Sequence, residues 1–478
     1  MTELSRDEYR GCDATALAAL VRQREVSAEG LLDLAIGEIE RLDGALNAVV
    51  ERGFDQARAE CARLAGRDMA GMPFAGVPFL AKDINVDIAG LRTTHACRFF
   101  EGVAPAVEDS ALVRCWREAG LVVIGRTNTP EFATEFVCEP ELYGATLNPW
   151  DMTRTPGGSS GGAAAAVAAG MVPMAHASDS GGSIRVPAAC CGVFGFKPSG
   201  GVIASGSRLG PLVGGLNVDH VVSWSVRDCE GMLAATAGPE EGAAVIWADP
   251  RTGPSELSRP LNIGVVAASP AGVLPEPEIV TRLGETRQLL EAMGHRTVDW
   301  AWPEDVDAVD CAQVIWAAEM ALVIESRAAE LGREPGPEEL GLVVRWAWET
   351  VRGQSAVDVV RARARMVTIR RRMVQAMAGV DLLMLPVIAE PPIASGLLAE
   401  LACQDIGAWE ARAARFAPYT EVFNVTGQPA MSVPMYQGAG NLPLAIQFAG
   451  PVGSDRMLLS LARALEEARP WGGRRPVL

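Results

Sequence analysis

The spacing of apolar residues in the first third of the chain predicts alternating helices and strands. A helix is predicted over 27–42, where apolar residues recur every three or four positions behind the helix-capping residue Ser27. The elements predicted next are a strand over 73–83, a helix over 110–119 and a buried strand over 121–124. A strand, a helix and a strand in succession indicate an α/β sheet.

The same alternation returns after a connector over 248–260 that is rich in Pro, Gly and Ser. The predicted elements there are a strand over 262–267, a helix over 276–293, a strand over 296–300, and two long helices over 310–331 and 338–376. A proline-rich loop is predicted over 391–419. The second half therefore adds further α/β units and a large helical region.

Two Gly-Ser clusters stand close together in the chain, at 157–162 and 181–183, with a helix of small residues predicted over 163–170 between them. Glycine lets the backbone come close to a ligand. A serine between such glycines is a linker, an anion contact or a nucleophile. The first cluster fits the G-x-S-x-G pattern, but the strand which that motif requires does not precede it. It also lacks the lysine of a phosphate-binding loop.

Serine needs a base before it can act as a nucleophile. The second cluster places successive backbone N–H groups beside Ser183, as in an oxyanion hole. Lysine and arginine total 42, yet only Lys82 and Lys197 are lysines. A buried lysine can lose its proton whereas arginine cannot, so Lys82 is a candidate base beside the four histidines. A Ser–His–Asp arrangement with His176 and Asp179 stays open as an alternative.

The net charge of −17 argues against a nucleic-acid surface, which needs clustered basic residues. No apolar leader is evident, and no apolar run is long enough to span a membrane. Ten scattered cysteines without a CxxC motif predict free thiols in a reducing cytoplasm. No cluster of His, Cys, Asp and Glu has metal-ligand spacing, so no metal is expected.

Several segments together resemble the amidase signature family over nearly the whole chain. They are GVPFLAKD at 76–83, GRTNTPE at 125–131, YGATLNPWD at 143–151, both Gly-Ser clusters, GFKPS at 195–199 and FNVTGQPA at 423–430. The resemblance implies one α/β domain over 1–478, with helices on both faces of a central, mostly parallel or mixed, twisted sheet. It also implies a signature core at about 66–230 and a helical substrate-pocket insertion at about 302–420.

The resemblance implies a Ser–cis-Ser–Lys triad. Ser183 is then the nucleophile, Ser159 the bridging serine behind a cis peptide bond, and Lys82 the base. The oxyanion hole is implied to consist of the backbone N–H groups of Ser180, Gly181, Gly182 and Ser183. No cofactor is expected. The expected partner is a small-molecule amide substrate, with no nucleic acid and no membrane, and a homodimer is allowed.

Substrate contacts are expected from Ala133, Val137, Cys138 and Trp316. Aromatic residues in the predicted pocket region favour an apolar, aryl or oligomeric amide, or a carbamate. The alternative function is that of a glutaminase, the A-type subunit of an amidotransferase that acts on misacylated tRNA. Such subunits resemble this chain, but they usually carry Gln where Val186 stands.

Overall fold

Eleven strands join in one sheet within the part of the chain that this computed structural model describes, residues 4–204, 215–238, 257 and 259–478. The strands are β1 (Val49–Arg52), β2 (Pro78–Lys82), β3 (Val122–Thr127), β4 (Met174–Asp179), β5 (Phe194–Lys197), β6 (Val218–Ser223), β7 (Asn262–Val265), β8 (Arg296–Asp299), β9 (Leu382–Pro386), β10 (Ala430–Gln437) and β11 (Pro443–Ala449). Their order across the sheet is β1-β3-β2-β4-β6-β5-β10-β11-β9-β7-β8.

The sheet is mixed. β2 runs parallel to both β3 and β4, and β7 runs parallel to both β8 and β9. The other neighbouring strands are antiparallel. Because parallel strands end at the same edge of a sheet, the last residues of β2, β3 and β4, which are Lys82, Thr127 and Asp179, reach one edge together.

Helices flank this sheet, and the predicted α/β fold is confirmed. They are α1 (Arg6–Gly11), α2 (Ala14–Arg22), α3 (Ala28–Leu46), α4 (Phe54–Ala65), α5 (Ala111–Glu118), α6 (Gly161–Ala169), α7 (Arg185–Cys191), α8 (Val226–Thr236), α9 (Pro277–Ala292), α10 (Val309–Leu331), α11 (Leu342–Val351), α12 (Ala356–Ala376), α13 (Leu397–Gln404), α14 (Ile406–Phe416), α15 (Val422–Val425) and α16 (Asp455–Ala468). Among the described residues, no helix has the length and apolar character needed to cross a membrane.

Helix α6 is small because its neighbours leave no room for larger side chains. Every residue of α6 is buried, and the helix contacts β2, β3, β4 and β6. A Cβ atom on Gly162 would lie 2.6 Å from the Asn128 amide nitrogen, and one on Gly161 would lie 2.5 Å from Cys138 Cβ. Both distances are shorter than a van der Waals contact, so glycine is required where α6 meets the segment that follows β3.

Two expectations about the helical region were wrong. The predicted helix over 338–376 is two helices, α11 and α12, because the helix is interrupted near Gly353. Ser355 then caps the N-terminus of α12, since its hydroxyl accepts a hydrogen bond from the Asp358 backbone N–H. The predicted loop over 391–419 contains α13 and α14. The prolines at the start of this stretch favoured the prediction of a loop, although the apolar residues after them have helical spacing. Asp405 caps the N-terminus of α14.

The helical insertion predicted at about 302–420 contains α10 to α14, but it also contains β9, which lies between β11 and β7 in the sheet. This stretch therefore contributes to the sheet as well as to the helical layer. The division into a core at about 66–230 and an insertion stays a prediction. Apart from residues 257, 259 and 260, the connector predicted over 248–260 lies outside the described residues.

Candidate active site

Lys82 lies at the end of β2 with its side chain fully buried. Its Nζ atom is 2.6 Å from Ser159 Oγ and 3.1 Å from Ser178 Oγ. Burial lowers the pKa of the Lys82 ammonium to about 7, although the negative charges of Asp219 and Asp179 act in the opposite direction. A substantial fraction of the amine is therefore neutral near pH 7, and a neutral amine can accept a proton.

The two Gly-Ser clusters meet beside this lysine. The peptide bond between Gly158 and Ser159 is cis. The next amide, that of Ser160, donates a hydrogen bond to the Ser183 carbonyl oxygen at 3.2 Å. The Ser160 hydroxyl and the backbone of Ser178 also exchange hydrogen bonds of 3.3 Å. Backbone contacts therefore hold the first cluster against the second, which lies 24 residues further along the chain (183 − 159).

Ser183 occupies a loop in which its own hydroxyl and the backbone N–H groups have no partners among the described residues. Its side chain is only 7 % exposed, and its hydroxyl makes no hydrogen bond to a described residue. The backbone N–H groups from Ser180 to Ser183 likewise find no acceptor among the described residues. Since buried N–H groups are normally paired, this loop presents unused donors beside an unused hydroxyl.

The shape of this loop depends on Gly182 and Thr420. Gly182 has φ of 143°, and a Cβ atom there would lie 2.7 Å from Thr420 Cβ, so a side chain would clash. The Thr420 hydroxyl donates a hydrogen bond to the Gly181 carbonyl oxygen. This bond turns the carbonyl oxygen of that peptide group towards Thr420.

A buried ion pair fixes the loop from the other side. Arg185 donates two hydrogen bonds of 2.9 Å to the carboxylate oxygens of Asp179. The same guanidinium also donates to Asn424 Oδ1 at 2.7 Å and to Gln447 Oε1 at 2.8 Å. Burial alone would raise the pKa of Asp179, but the charge and hydrogen bonds of Arg185 outweigh it and hold the pKa at about 2. The residues before and after Ser183 are thereby tied together.

His176 does not contact Ser183. Its Nδ1 atom accepts the backbone N–H of Lys82 at 3.3 Å, which leaves the proton on Nε2, and Nε2 lies 3.1 Å from Asp219 Oδ1. Asp179 is occupied by Arg185. The two residues of the alternative Ser–His–Asp arrangement are therefore engaged with other groups.

Ser183 opens on a cavity of about 670 Å³. Of the four expected substrate contacts, Ala133 and Trp316 line this cavity. Val137 and Cys138 do not. Val137 is 1 % exposed and packs in a hydrophobic cluster, while the Cys138 thiol lies 3.5 Å from Thr146 Oγ1. In the segment after β3, Ala133 therefore faces the cavity, whereas Val137 and Cys138 face the protein interior.

Three groups at this site were not found from the sequence. Ser178, the second partner of Lys82, directly precedes Asp179, but nothing marks it in the sequence. Asn424 lies inside the FNVTGQPA motif, which could have indicated its contact with Arg185. Glu421, three residues earlier, lines the cavity and carries no sequence signal.

Comparison with known proteins consistently finds amidases and related amide hydrolases. The family model described as Amidase matches residues 31–459. A 6-aminohexanoate-cyclic-dimer hydrolase from Paenarthrobacter ureafaciens is 34 % identical over 489 aligned positions, covering 98 % of this chain and 96 % of that protein. A putative amidase, AmiC, from Mycobacterium tuberculosis is 36 % identical over 475 positions, covering 97 % of this chain and 96 % of that protein.

A solved structure of a 6-aminohexanoate cyclic dimer hydrolase superposes with a TM-score of 0.89 at 32 % identity, and the match covers 98 % of this chain and 99 % of that one. The family model and the curated relatives each span nearly the whole chain. The protein therefore belongs to the amidase family, the amidase signature enzymes.

Proposed function

We propose that this amidase cleaves the C–N bond of its substrate through an acyl-enzyme on Ser183, with Ser159 as the proton relay and Lys82 as the base. The observation that carries the proposal is the 2.6 Å contact between Lys82 Nζ and Ser159 Oγ in a fully buried environment. A buried amine with a pKa of about 7 takes up and releases a proton at neutral pH without a large energy cost.

The neutral amine of Lys82 accepts the proton of Ser159, which in turn accepts the proton of Ser183. The Ser183 oxygen then forms a bond to the substrate carbonyl carbon. As the tetrahedral intermediate collapses, the C–N bond breaks and the relay returns the proton to the leaving nitrogen. Water, activated by the same relay, then hydrolyses the ester and releases the acid.

The negative charge on the carbonyl oxygen needs hydrogen-bond donors that are already in place. The backbone N–H groups of Ser180, Gly181, Gly182 and Ser183 are proposed for this role. Their lack of acceptors among the described residues supports it. A donor that has no other partner loses no hydrogen bond when the oxyanion forms.

The test compares Ser183→Ala and Lys82→Arg with the wild-type enzyme on a p-nitroanilide, together with labelling by a fluorophosphonate followed by intact mass measurement. Both variants are expected to lose turnover, because one lacks the nucleophile and the other cannot deprotonate. Ser432→Ala is the matched control, since Ser432 is also a buried serine whose hydroxyl has no partner among the described residues, but it does not line the cavity. Turnover by Ser183→Ala would refute the nucleophile, and turnover by Lys82→Arg would refute the base.

The proposed substrate is an apolar, aryl or oligomeric amide, or a carbamate. Trp316, Trp346 and Trp409 line the cavity and offer large apolar faces. Relatives named for hydrolysis of a cyclic dimer of 6-aminohexanoate agree with an amide of this size. Ala133 and Trp316 are the proposed contacts.

We further propose that the enzyme acts in the cytoplasm, since its ten cysteines are all free, and that it forms a homodimer. On α12, the valines at 357, 360, 367 and 374 are exposed on one face. With Ala364, the valines at 357, 360 and 367 follow the 3-4-3 spacing of a two-helix seam, which can pair antiparallel with its own copy, and Arg371 interrupts this apolar pattern before Val374. Light scattering should give a dimer mass for the wild type and a monomer mass for Val360→Glu.

A further inference from the structure

The cavity beside Ser183 is lined by acidic side chains and by no basic ones among the described residues. The five carboxylates are those of Glu135, Asp307, Asp310, Glu410 and Glu421. Elsewhere in the described chain, carboxylates commonly pair with arginine, as Asp179 does with Arg185. None of the five cavity carboxylates forms a salt bridge with a described residue.

Glu421 lies beside the loop that carries Ser183. A Cβ atom on Gly181 would be 3.7 Å from Glu421 Oε1, so this carboxylate stands against the loop that carries Ser183. The carboxyl group of Glu421 forms no hydrogen bond with a described residue. Burial together with the charges of Asp307 and Asp310 raises the pKa of Glu421 to about 8, although Arg185 acts in the opposite direction. Glu421 is therefore mostly protonated at pH 7, and a cation bound beside it would lower this pKa and favour the carboxylate.

The rest of the lining fits a cation on an aliphatic chain. Trp316, Trp346 and Trp409 face the cavity, and the rings of Trp346 and Trp409 meet edge to face with centroids 6.4 Å apart. Indole faces attract ammonium groups and also cover methylene chains. Most remaining lining positions are alanine, valine or other apolar residues. Charge and apolar surface thus occur together in one cavity.

The Ser183 hydroxyl gives independent evidence of a ligand. The residue Ser183 is more than nine-tenths buried, its hydroxyl has no partner among the described residues, and it lines the same cavity as the carboxylates. A molecule that reaches this hydroxyl with its carbonyl carbon must lie alongside Glu421. The described chain holds no group of three or more His, Cys, Asp or Glu side chains arranged to bind one metal ion. An organic cation is therefore the ligand that fits both features.

We infer that the preferred substrates are amides carrying a positively charged amino group on an aliphatic chain, and that Glu421, with Asp307 and Asp310, binds this group. The inference rests on the proposed function of Ser183 and names the substrate class for that site. Glu421 acts on specificity, while bond cleavage remains with Ser183.

The experiment compares matched pairs of substrates that differ by one charge. On the acyl side, 6-aminohexanoyl p-nitroanilide is compared with heptanoyl p-nitroanilide. On the amine side, N-(5-aminopentyl)acetamide is compared with N-hexylacetamide. The wild-type enzyme should show a kcat/KM about tenfold or more higher for the charged member of at least one pair, and the pair that responds locates the ammonium group. Equal values, or a preference for the neutral member, in both pairs overturn the inference.

Glu421→Gln should remove that preference by raising KM for the charged substrate about tenfold, while turnover of the neutral substrate persists and shows that the variant is folded. Glu349→Gln is the control, because Glu349 is an exposed carboxylate on α11 that does not line the cavity. An unchanged charged-to-neutral ratio in Glu421→Gln overturns the role of Glu421. If Glu421→Gln fails to fold, Asp310→Asn is measured for the same ratio and judged by the same criterion. Failure of the nucleophile would appear separately, as turnover by Ser183→Ala.

Discussion

Replacing Lys82 by methionine should abolish activity and yet make the protein more stable at neutral pH. Methionine has nearly the same length and carries no charge. Burial lowers the pKa of the Lys82 ammonium from 10.5 to about 7. At 1.36 kcal/mol per pH unit, this shift corresponds to a destabilisation of about 5 kcal/mol at and below pH 7. Below its folded pKa the amine is a buried charge, and near pH 7 folding must remove a proton that the unfolded chain retains.

Methionine also leaves Ser159 and Ser178 without their common partner. An unsatisfied buried hydroxyl costs about 1–2 kcal/mol, so the two together cost about 2–4 kcal/mol. The net expectation at pH 7 is that Lys82→Met is more stable than the wild type by about 1–3 kcal/mol. Because the proposed base is gone, amide turnover should fall by at least about 10³-fold.

The dependence on pH is the sharper part of this prediction. Between pH 7 and 10.5 the unfolded chain keeps a proton on Lys82 that the folded protein has lost, so wild-type stability rises with pH. The advantage of Lys82→Met should therefore shrink by about 2–3 kcal/mol between pH 7 and 9. Urea unfolding of both proteins at these two pH values measures the difference.

Lys197 provides a matched control, because it is also fully buried and burial also lowers the pKa of its amine to about 7. Among the described residues its Nζ atom donates only to the Pro198 carbonyl oxygen, at 2.9 Å, and it makes no hydrogen bond to the residues of the proposed relay. The free energy of unfolding of Lys197→Met, relative to the wild type, should depend on pH in the same way as that of Lys82→Met. Unlike Lys82→Met, this variant should still react with a fluorophosphonate. A stability difference between Lys82→Met and the wild type that stays constant from pH 7 to 9 would refute the buried, neutral amine.

Three further outcomes are expected. The kcat/KM of the wild type should rise with pH and level off above about pH 7, because only neutral Lys82 accepts a proton; a profile that is flat from pH 5 to 8 would contradict this. Asp179→Asn should lower the free energy of unfolding by about 3–5 kcal/mol in urea titrations, since it leaves the buried Arg185 guanidinium without its carboxylate. Gly182→Ala should lower kcat by at least about 10²-fold in p-nitroanilide assays, because the new methyl group meets Thr420 and displaces the oxyanion loop; wild-type kcat in this variant would show that the loop tolerates a side chain.

Local patterns were enough to predict much of the fold. The helix predicted over 27–42 is α3, with Ser27 as its cap, and the helix of small residues between the Gly-Ser clusters is α6. These predictions succeeded because capping and apolar spacing act within a few residues. The helix break at Gly353 was missed because apolar residues recur at helical spacing on both sides of it. The two helices after Pro392 were missed because the prolines before them indicated a loop.

Local sequence patterns could not predict which side chains face the cavity and which face the protein interior. Ala133 and Val137 are four residues apart, yet one lines the cavity and the other packs in the interior. This segment follows no regular helix or strand for most of its length, so no periodicity assigns its faces. Glu421 was missed for a related reason, because its importance comes from Asp307 and Asp310, more than 100 positions earlier in the chain.

The sequence by itself determined the family, the α/β class and the three side chains proposed for catalysis, because motif identity and hydrophobic spacing are properties of the chain alone. Only the tertiary structure decided that Lys82 is buried enough to lose its proton and that Ser159 lies 2.6 Å from it. It also decided that carboxyl groups without salt bridges to described residues line the same cavity as Ser183. Burial, pKa and charge balance are sums over groups from distant parts of the chain. They are fixed only when β2, the two Gly-Ser clusters and the helices from α10 to α14 pack around one cavity.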